Sequence, residues 1–390
     1  KIVILRHGLM FSQPITTRAV EPISVFGKQP WVWPVQRVHT NPATGVRQAH
    51  QEEDIALHHY QIPHHFFTMA QQVLGQLQEE LVHYKGTPVS VMELSHRSKD
   101  FGNIIDATEK VVRELLGVPD NYRVLLMHGG GTGQFAAVPL NLMSRTGKAD
   151  YIVTGSWSSK AAQEAAKYGT VNCVLPKSVE FQSVPDVPEG VPLVCDVSSN
   201  YFTRPIDVSK FGLLYGGAQK NIGCAGVTLV IVREDLITNP LPVCPTVLDY
   251  TVMAKNKSLY NTPPTFPIHV MGEVLAWVKK EGGVKEMERR SVEKSRMIYS
   301  IVDESNGFYS SVVTPSSRSR VNVVFRVGED GGNEELETKF VDQATQCGLL
   351  SLKGHRSVGG IRASLYNAIT VDDVHRLAEF MKKFLQENKV

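Results

Sequence analysis

No stretch of this 390-residue chain approaches the ~20 consecutive apolar residues that cross a bilayer. Its first residues, KIVILRHG, contain no long apolar segment of the signal-peptide type. Cysteine is sparse. Cys173, Cys195, Cys224, Cys244 and Cys347 are scattered, odd in number and form no Cys-x-x-Cys pair. That argues against a disulfide framework or a cysteine zinc site and points to a reducing compartment, so a cytoplasmic location is expected. An excess of one charge is also lacking. The net charge of +2 implies neither nucleic acid nor an anionic membrane as partner, although a few local arginines could hold a small anion. There is no G-x-G-x-x-G after a first strand, no phosphate loop ending in Lys-Ser/Thr, and no internal repeat.

Hydrophobic residues make up 42% and charged residues 21%, enough for a large core and about two to three domains. Residues 1–72 differ in texture from the rest, with prolines, basic residues and aromatics in no helical or strand period, and an irregular segment is expected there. The segment includes HHYQIPHH, with His58, His59, His64 and His65. No cysteine or carboxylate pattern completes four zinc ligands around them, so an incidental His-rich loop is favoured and no metal is expected. Beyond it, apolar strands such as YRVLLMH, DYIVTGS, VPLVCDV, FGLLYGG and GVTLVIVRE alternate with amphipathic helices. This alternation predicts an α/β large domain over 73–282, with a mainly parallel sheet between helices. After residue 283 a long charged helix, two strands and a terminal helix predict a smaller α+β domain over 283–390.

The chemistry concentrates at strand ends. LVCDVSSN places Asp196 at the carboxyl end of a buried strand, where open α/β sheets bind ligands. The next strand runs through FGLLYGGAQKNIG to Lys220, set among glycines. An acid and a lysine at neighbouring strand ends are the pairing that pyridoxal phosphate chemistry requires. The lysine forms the Schiff base, and the acid keeps the pyridine nitrogen protonated so that the ring accepts electrons. Burial and a cationic ring would lower the lysine's pKa and leave it able to act as nucleophile and base. HGGGTGQF, His128 to Phe135, lets backbone amides approach a phosphate at a helix start, although a plain tight turn reads equally well. Trp157, at a helix start above the sheet, could stack on a flat ring or simply pack. SHRSKDF (His96, Arg97) and KGHRSVGGIRAS (Lys353, His355, Arg356, Arg362) together suggest a small substrate with two anionic groups.

With these residues in hand, the sequence closely resembles the phosphoserine aminotransferase family, in its animal form. The matching tracts are ELSHRSKDF, GGGTGQFAAVPLNL, DYIVTGSWSSKAA, CDVSSN, GGAQKNIGCAGVT, SLYNTPP and LSLKGHRSVGGIRASLYNA, in the family's order from about residue 73 onward. The resemblance implies a type I pyridoxal phosphate fold, a homodimer, and transfer of the amino group of glutamate to 3-phosphohydroxypyruvate, giving phosphoserine on the route to serine. It leaves open whether the related phosphohydroxythreonine is also a substrate. It implies that Lys220 is the Schiff-base lysine, Asp196 the pyridine-nitrogen partner and Trp157 the stacking residue. Gly131, Thr132 and Gln219 would be further cofactor contacts, and Asn261 and Thr262 would reach the cofactor phosphate from the neighbouring subunit. His96, Arg97, Arg362 and, from the other subunit, His355 and Arg356 would form the substrate-anion site.

Two departures stand out. The family's glycine- and proline-rich opening segment has no match in residues 1–72. A strand and loop carrying an Asn-Glu-Thr motif are missing from VLPKSVEFQSVPDVPEGVPLVCDV, where a further cofactor contact would lie. Losing an interior strand would orphan backbone groups at ~1–3 kcal/mol each, against a net stability of only ~5–15 kcal/mol. The expectation is a chain less stable than full-length relatives and weakly active or inactive. The alternative reading is a non-catalytic partner that at most dimerises with an intact subunit, and it gains if no loop from residues 1–72 replaces the missing segment. A Rossmann-type oxidoreductase leaves the Lys220–Asp196 pairing unexplained.

Overall fold

The computed structural model describes residues 3–6, 69–174, 190–311, 313–329, 331–355 and 359–389, with backbone alone at 3–6, 316 and 355; all of them fall in one compact unit. The apolar run VILR forms β1 (Val3–Arg6). Then come α1 (Gln71–Glu80), α2 (Lys99–Leu116), β2 (Tyr122–Met127), α3 (Gly130–Leu142), β3 (Lys148–Tyr151), α4 (Ser156–Ala165) and β4 (Thr170–Cys173). The large sheet is completed by β5 (Leu193–Asp196), β6 (Leu213–Gly217) and β7 (Thr228–Arg233), followed by α5 (Tyr250–Lys255) and α6 (Thr265–Lys280).

Among the described residues this sheet has seven strands in the order β2-β7-β6-β5-β1-β3-β4. β7 runs antiparallel to both of its neighbours, and the other pairings are parallel. Side chains alternate across the sheet, as strand geometry requires. Val124, Leu126, Leu214, Leu229 and Ile231 pack on one face with Ile104, Ile105 and Val112 of α2 and Ile268, Met271 and Leu275 of α6. Leu125, Met127, Leu213, Tyr215, Val230 and Val232 pack on the other with residues of α3, α4 and α5. Both faces are covered, which is why the strands read as continuous apolar runs.

Local signals set the helix ends. The Ser98 side chain accepts from the Phe101 amide to cap α2, and Gly117, at φ 58°, stops it. DYIVTGS is strand only to Tyr151, because the Ser158 hydroxyl then accepts from the amides of Thr154 and Gly155 and starts α4. The second sheet has its own core. α7 (Gly283–Glu304), β8 (Tyr309–Ser310), β9 (Asn322–Val327), α8 (Glu334–Gln346), β10 (Lys353–His355), β11 (Gly359–Ser364) and α9 (Val371–Asn388) follow in sequence. The four strands are antiparallel in the order β10-β11-β9-β8, and Phe325, Phe340, Ile361, Leu377 and Phe384 lie in the core formed with the helices.

Two expectations change. Residues 1–72 are not irregular throughout, because Val3–Arg6 is an interior strand. A four-residue run with three apolar, largely β-branched members suits a position paired with a strand on each side. The large sheet is therefore not left open beside β5. Its flank is paired from Val3↔Leu193 to Arg6↔Asp196, and the flank of β3 is paired at Val3↔Asp150 and Ile4↔Tyr151. The His-rich stretch His58 to His65 lies outside the described residues. No helix among the described residues is long and apolar enough to cross a membrane.

Candidate active site

β5 and β6 lie side by side in parallel, with Asp196 opposite Tyr215, so their carboxyl ends open to the same edge of the sheet. Asp196 is the last residue of β5 and is 2% exposed. Its Oδ1 accepts from the Ser198 amide at 2.9 Å and the Ser198 hydroxyl at 2.6 Å. The Ser198 Oγ in turn accepts from the Gly217 amide at 3.2 Å, tying the end of β6 to the carboxylate. Lys220 closes a single turn of 3₁₀ helix, Ala218–Lys220, directly after β6. Its Nζ donates to Ser199 Oγ at 3.3 Å. The lysine and the acid thus leave adjacent strand ends and converge on one short turn, Ser198–Ser199.

The glycines around Lys220 have a steric reason. A Cβ at Gly216 would lie 2.6 Å from the Tyr201 ring and 2.9 Å from Ser198 Cα, and one at Gly217 would collide with the Gln219 side chain. At Gly216 only a bare backbone fits between β6 and the Ser198 turn, whereas at Gly217 the end of the Gln219 side chain could swing aside.

The glycine turn after β2 completes the cluster. Gly129 and Gly130 take φ of 88° and 62°, a left-handed geometry that favours glycine. α3 begins at Gly130, four residues before the helical QFAAVPLNLM run. A Cβ built on Gly131 would lie 3.6 Å from Ser198 Oγ and 3.7 Å from Asp196 Oδ2. The amino end of a thirteen-residue helix, with its unpaired amides and partial positive charge, therefore abuts the carboxylate turn. Thr132 is exposed in the same first turn of the helix. Asn261 Nδ2 lies 3.0 Å from Nε2 of His128, the residue that opens the glycine turn, and also donates to the Thr262 carbonyl at 3.2 Å.

The structure brings Gly131, Asp196, Gln219 and Lys220 together and sets Asn261 and Thr262 beside the same glycine turn. The remaining expected site residues stand on other elements. Trp157 is in the first turn of α4, 43% exposed, with the Lys160 ammonium 4.7 Å from its ring centre. His96 and Arg97 occupy the loop before α2, where the Arg97 amide donates to Ser95 Oγ. Arg362 is on β11 of the second sheet, and burial pushes its guanidinium below the usual value. The backbone of His355 ends β10, paired with Gly359. Arg356 lies outside the described residues. Ser198, Ser199 and His128 were not anticipated as site residues. Their signal was there in CDVSSN and HGGG, as polar residues flanking the two strand ends.

The donor set fits pyridoxal phosphate. It has an amine for the aldehyde, a buried carboxylate fixed by two donors for the ring nitrogen, and a helix amino end with glycines for the phosphate. Comparisons agree with this reading. A family model for class-V aminotransferases matches residues 68–189 and 180–377, in two stretches that meet in the connection from β4 to β5. The chain is 52% identical over 352 residues to the phosphoserine aminotransferase of Drosophila melanogaster, covering 82% of this chain and 97% of that one. Among solved structures, one reporting radiation damage of the Schiff base in phosphoserine aminotransferase is 38% identical, with a TM-score of 0.78, covering 83% of this chain and 98% of that one. A pyridoxal-phosphate-bound phosphoserine aminotransferase from Trichomonas vaginalis is 34% identical, with a TM-score of 0.75, covering 81% of this chain and 97% of that one.

Proposed function

The chain belongs to the phosphoserine aminotransferases, within the class-V aminotransferases, and from that premise we propose that Lys220 and Asp196 carry its reaction on pyridoxal phosphate. The reaction moves the amino group of glutamate to 3-phosphohydroxypyruvate and yields phosphoserine and 2-oxoglutarate. The observation that carries the assignment is the convergence of Lys220 and Asp196 from adjacent strand ends on the Ser198–Ser199 turn.

When bound, the cofactor supplies a ring that accepts the electron pair left on the substrate carbon. The chain's own residues do the rest. Lys220 Nζ would hold the cofactor's aldehyde carbon as nucleophile. Once freed by an incoming substrate amine, the same nitrogen would be placed to take the proton from the substrate Cα and return it, across the bridging nitrogen, to the former aldehyde carbon. Asp196 holds a proton on the ring nitrogen, and Ser198 fixes that carboxylate with two hydrogen bonds. The amino end of α3, with Gly131 and Thr132, and Gln219 would hold the phosphate and ring substituents, and Trp157 would cover the ring. His96, Arg97 and Arg362 would bind the two anionic groups of the substrates, and the guanidinium forks suit carboxylate and phosphate.

The homodimer belongs to the same proposal. Leu81, Val82, Val89 and Met92, close together between α1 and α2, are exposed apolar residues of the kind a subunit contact covers. A second subunit would bring its own His355 and Arg356, and its Asn261 and Thr262, to this site. A cytoplasmic location is also proposed, and five free cysteines agree with a reducing compartment.

The test is the visible spectrum of the purified chain with added pyridoxal phosphate, then borohydride reduction and peptide mapping. The expected result is a lysine-bound band with the label on Lys220, lost in Lys220→Ala, and glutamate-dependent turnover of 3-phosphohydroxypyruvate. A folded protein without the band, or with the label on another lysine, refutes the assignment.

A further inference from the structure

We propose that strand β1, Val3–Arg6, is a positioning element of the cofactor site, a strand supplied from far away in sequence that holds the end of β5 and with it Asp196. The inference rests on the assignment of Asp196 as a cofactor-holding group.

β1 is interior in the sheet, with β5 on one side and β3 on the other. Among the described residues no other backbone lies between those two strands. Without β1 the sheet divides into β2-β7-β6-β5 and β3-β4. The register places the loss where the chemistry is. All four β1 residues pair with β5, and the last pair is Arg6↔Asp196. On its other flank Asp196 pairs with Tyr215 of β6, and the Val197 amide donates to the Tyr215 carbonyl at 2.9 Å. The backbone of Asp196 is therefore gripped from both sides, and β1 provides one of them. A carboxylate that must keep hydrogen-bond distance to a ring nitrogen, held to within about 0.5 Å, depends on that double grip.

The sequence arrangement makes this an unusual dependence. β1 pairs with residues roughly 150 to 190 positions further along, and more than sixty residues separate it from α1. The chain leaves the sheet edge at β4 and re-enters at β5, and the class-V family match breaks into two stretches in that same connection. The strand between β3 and β5 is thus not drawn from the stretch of chain that links them. It is a separate extended segment docked into the slot by ladder hydrogen bonds, as an added strand docks to a sheet edge.

Amide hydrogen exchange on the full chain with pyridoxal phosphate bound tests this, together with Leu5→Pro and Leu5→Ile. Proline removes a ladder donor from an interior strand, and isoleucine keeps it. In the wild type, residues 3–6 should exchange about a hundredfold or more below the unprotected rate. Leu5→Pro should lose protection at 150–151 and 193–196 while 124–127 and 229–232 remain protected, and its affinity for pyridoxal phosphate should fall about tenfold or more, as for a displaced supporting group. The pH at which the bound cofactor's visible band titrates should shift in Leu5→Pro in the same direction as in Asp196→Asn, and Leu5→Ile should restore it. Wild-type residues 3–6 exchanging at the unprotected rate would overturn the proposal even if Leu5→Pro fails to fold. So would a folded Leu5→Pro with wild-type cofactor affinity and β5 protection. Protected residues 3–6 in a protein that attaches no cofactor at Lys220 would instead uphold the strand placement and refute the assignment of function.

Discussion

Replacing Asp196 separates its structural from its chemical contribution. The carboxylate is buried and accepts two hydrogen bonds from Ser198, at 2.9 and 2.6 Å, and Ser198 Oγ also accepts from Gly217 of the next strand. Alanine removes both bonds and leaves the Ser198 amide and hydroxyl facing an apolar gap. Hydrogen bonds to an ionised acceptor are worth ~1.5–3 kcal/mol each, and part of that loss is offset because a buried charge no longer has to be desolvated, so Asp196→Ala should cost about 2–4 kcal/mol. Asparagine keeps the shape and one acceptor oxygen, so Asp196→Asn should cost about 1 kcal/mol. The two differ less in chemistry, because neither can hold a proton on the ring nitrogen by charge. Both should lower kcat by ~10²–10³, the effect of losing one preorganised electrostatic partner. Urea unfolding of both variants without cofactor, with m-values compared, gives the stability difference, and turnover of glutamate with 3-phosphohydroxypyruvate gives the chemical one. Wild-type stability in Asp196→Ala would remove the Ser198 relay from the account. Turnover of Asp196→Asn within about threefold of wild type would remove the ring-nitrogen role.

Further outcomes follow from single residues. Gly129→Ala puts a Cβ 3.1 Å from Gly133 Cα at a φ of 88°, and should cost about 1–2 kcal/mol in urea unfolding and weaken pyridoxal phosphate binding in a visible titration. Lys294 of α7 is buried and donates to the carbonyls of Leu365, Tyr366 and Ile369 at 3.1, 2.8 and 2.7 Å; Lys294→Met leaves those carbonyls without their donor but also relieves a buried charge, so it should cost about 1–3 kcal/mol by calorimetry while leaving the shape of the cofactor spectrum unchanged. Hydrogen bonds from Arg289 and Arg290 hold the Glu286 carboxyl down to about 2. Its folded pKa is below the unfolded one, so its stabilising contribution is present above about pH 4.5 and fades as the pH falls towards 2. Glu286→Gln should therefore lower stability by under ~1 kcal/mol at pH 7, and the difference from wild type should vanish near pH 2 in a series of melts.

What could be read in the sequence was what is encoded locally. Buried strands of both sheets were visible as short apolar runs, because a strand covered on both faces has no polar side to alternate with. Lys220 and Asp196 could be paired because Asp196 closes one apolar run and Lys220 comes three residues after the other, each at the carboxyl end of a strand. The glycines near Lys220 and His128 marked close approach, and the structure shows what approaches: the Tyr201 ring, Ser198 and Gln219. The start of α4 depends on the Ser158 hydroxyl, which is why DYIVTGS stops as strand at Tyr151, whereas α3, with no side-chain cap, starts where Gly129 and Gly130 take positive φ.

Pairing between distant segments was decided only by the tertiary structure. VILR carries no mark of its partners, since any apolar four-residue run presents the same ladder of amides and carbonyls. Only the packed sheet selects the slot between β3 and β5, and it is this slot that removes the reason for expecting an orphaned flank beside Asp196. The antiparallel run of β7, the Ser198 link between β5 and β6, and the approach of Asn261 to His128 are likewise contacts across 11 to 133 residues. Local sequence fixes which residues want to be strand, turn or helix end. Which strand lies beside which is settled by the free energy of closing the whole sheet, to which every segment contributes at once.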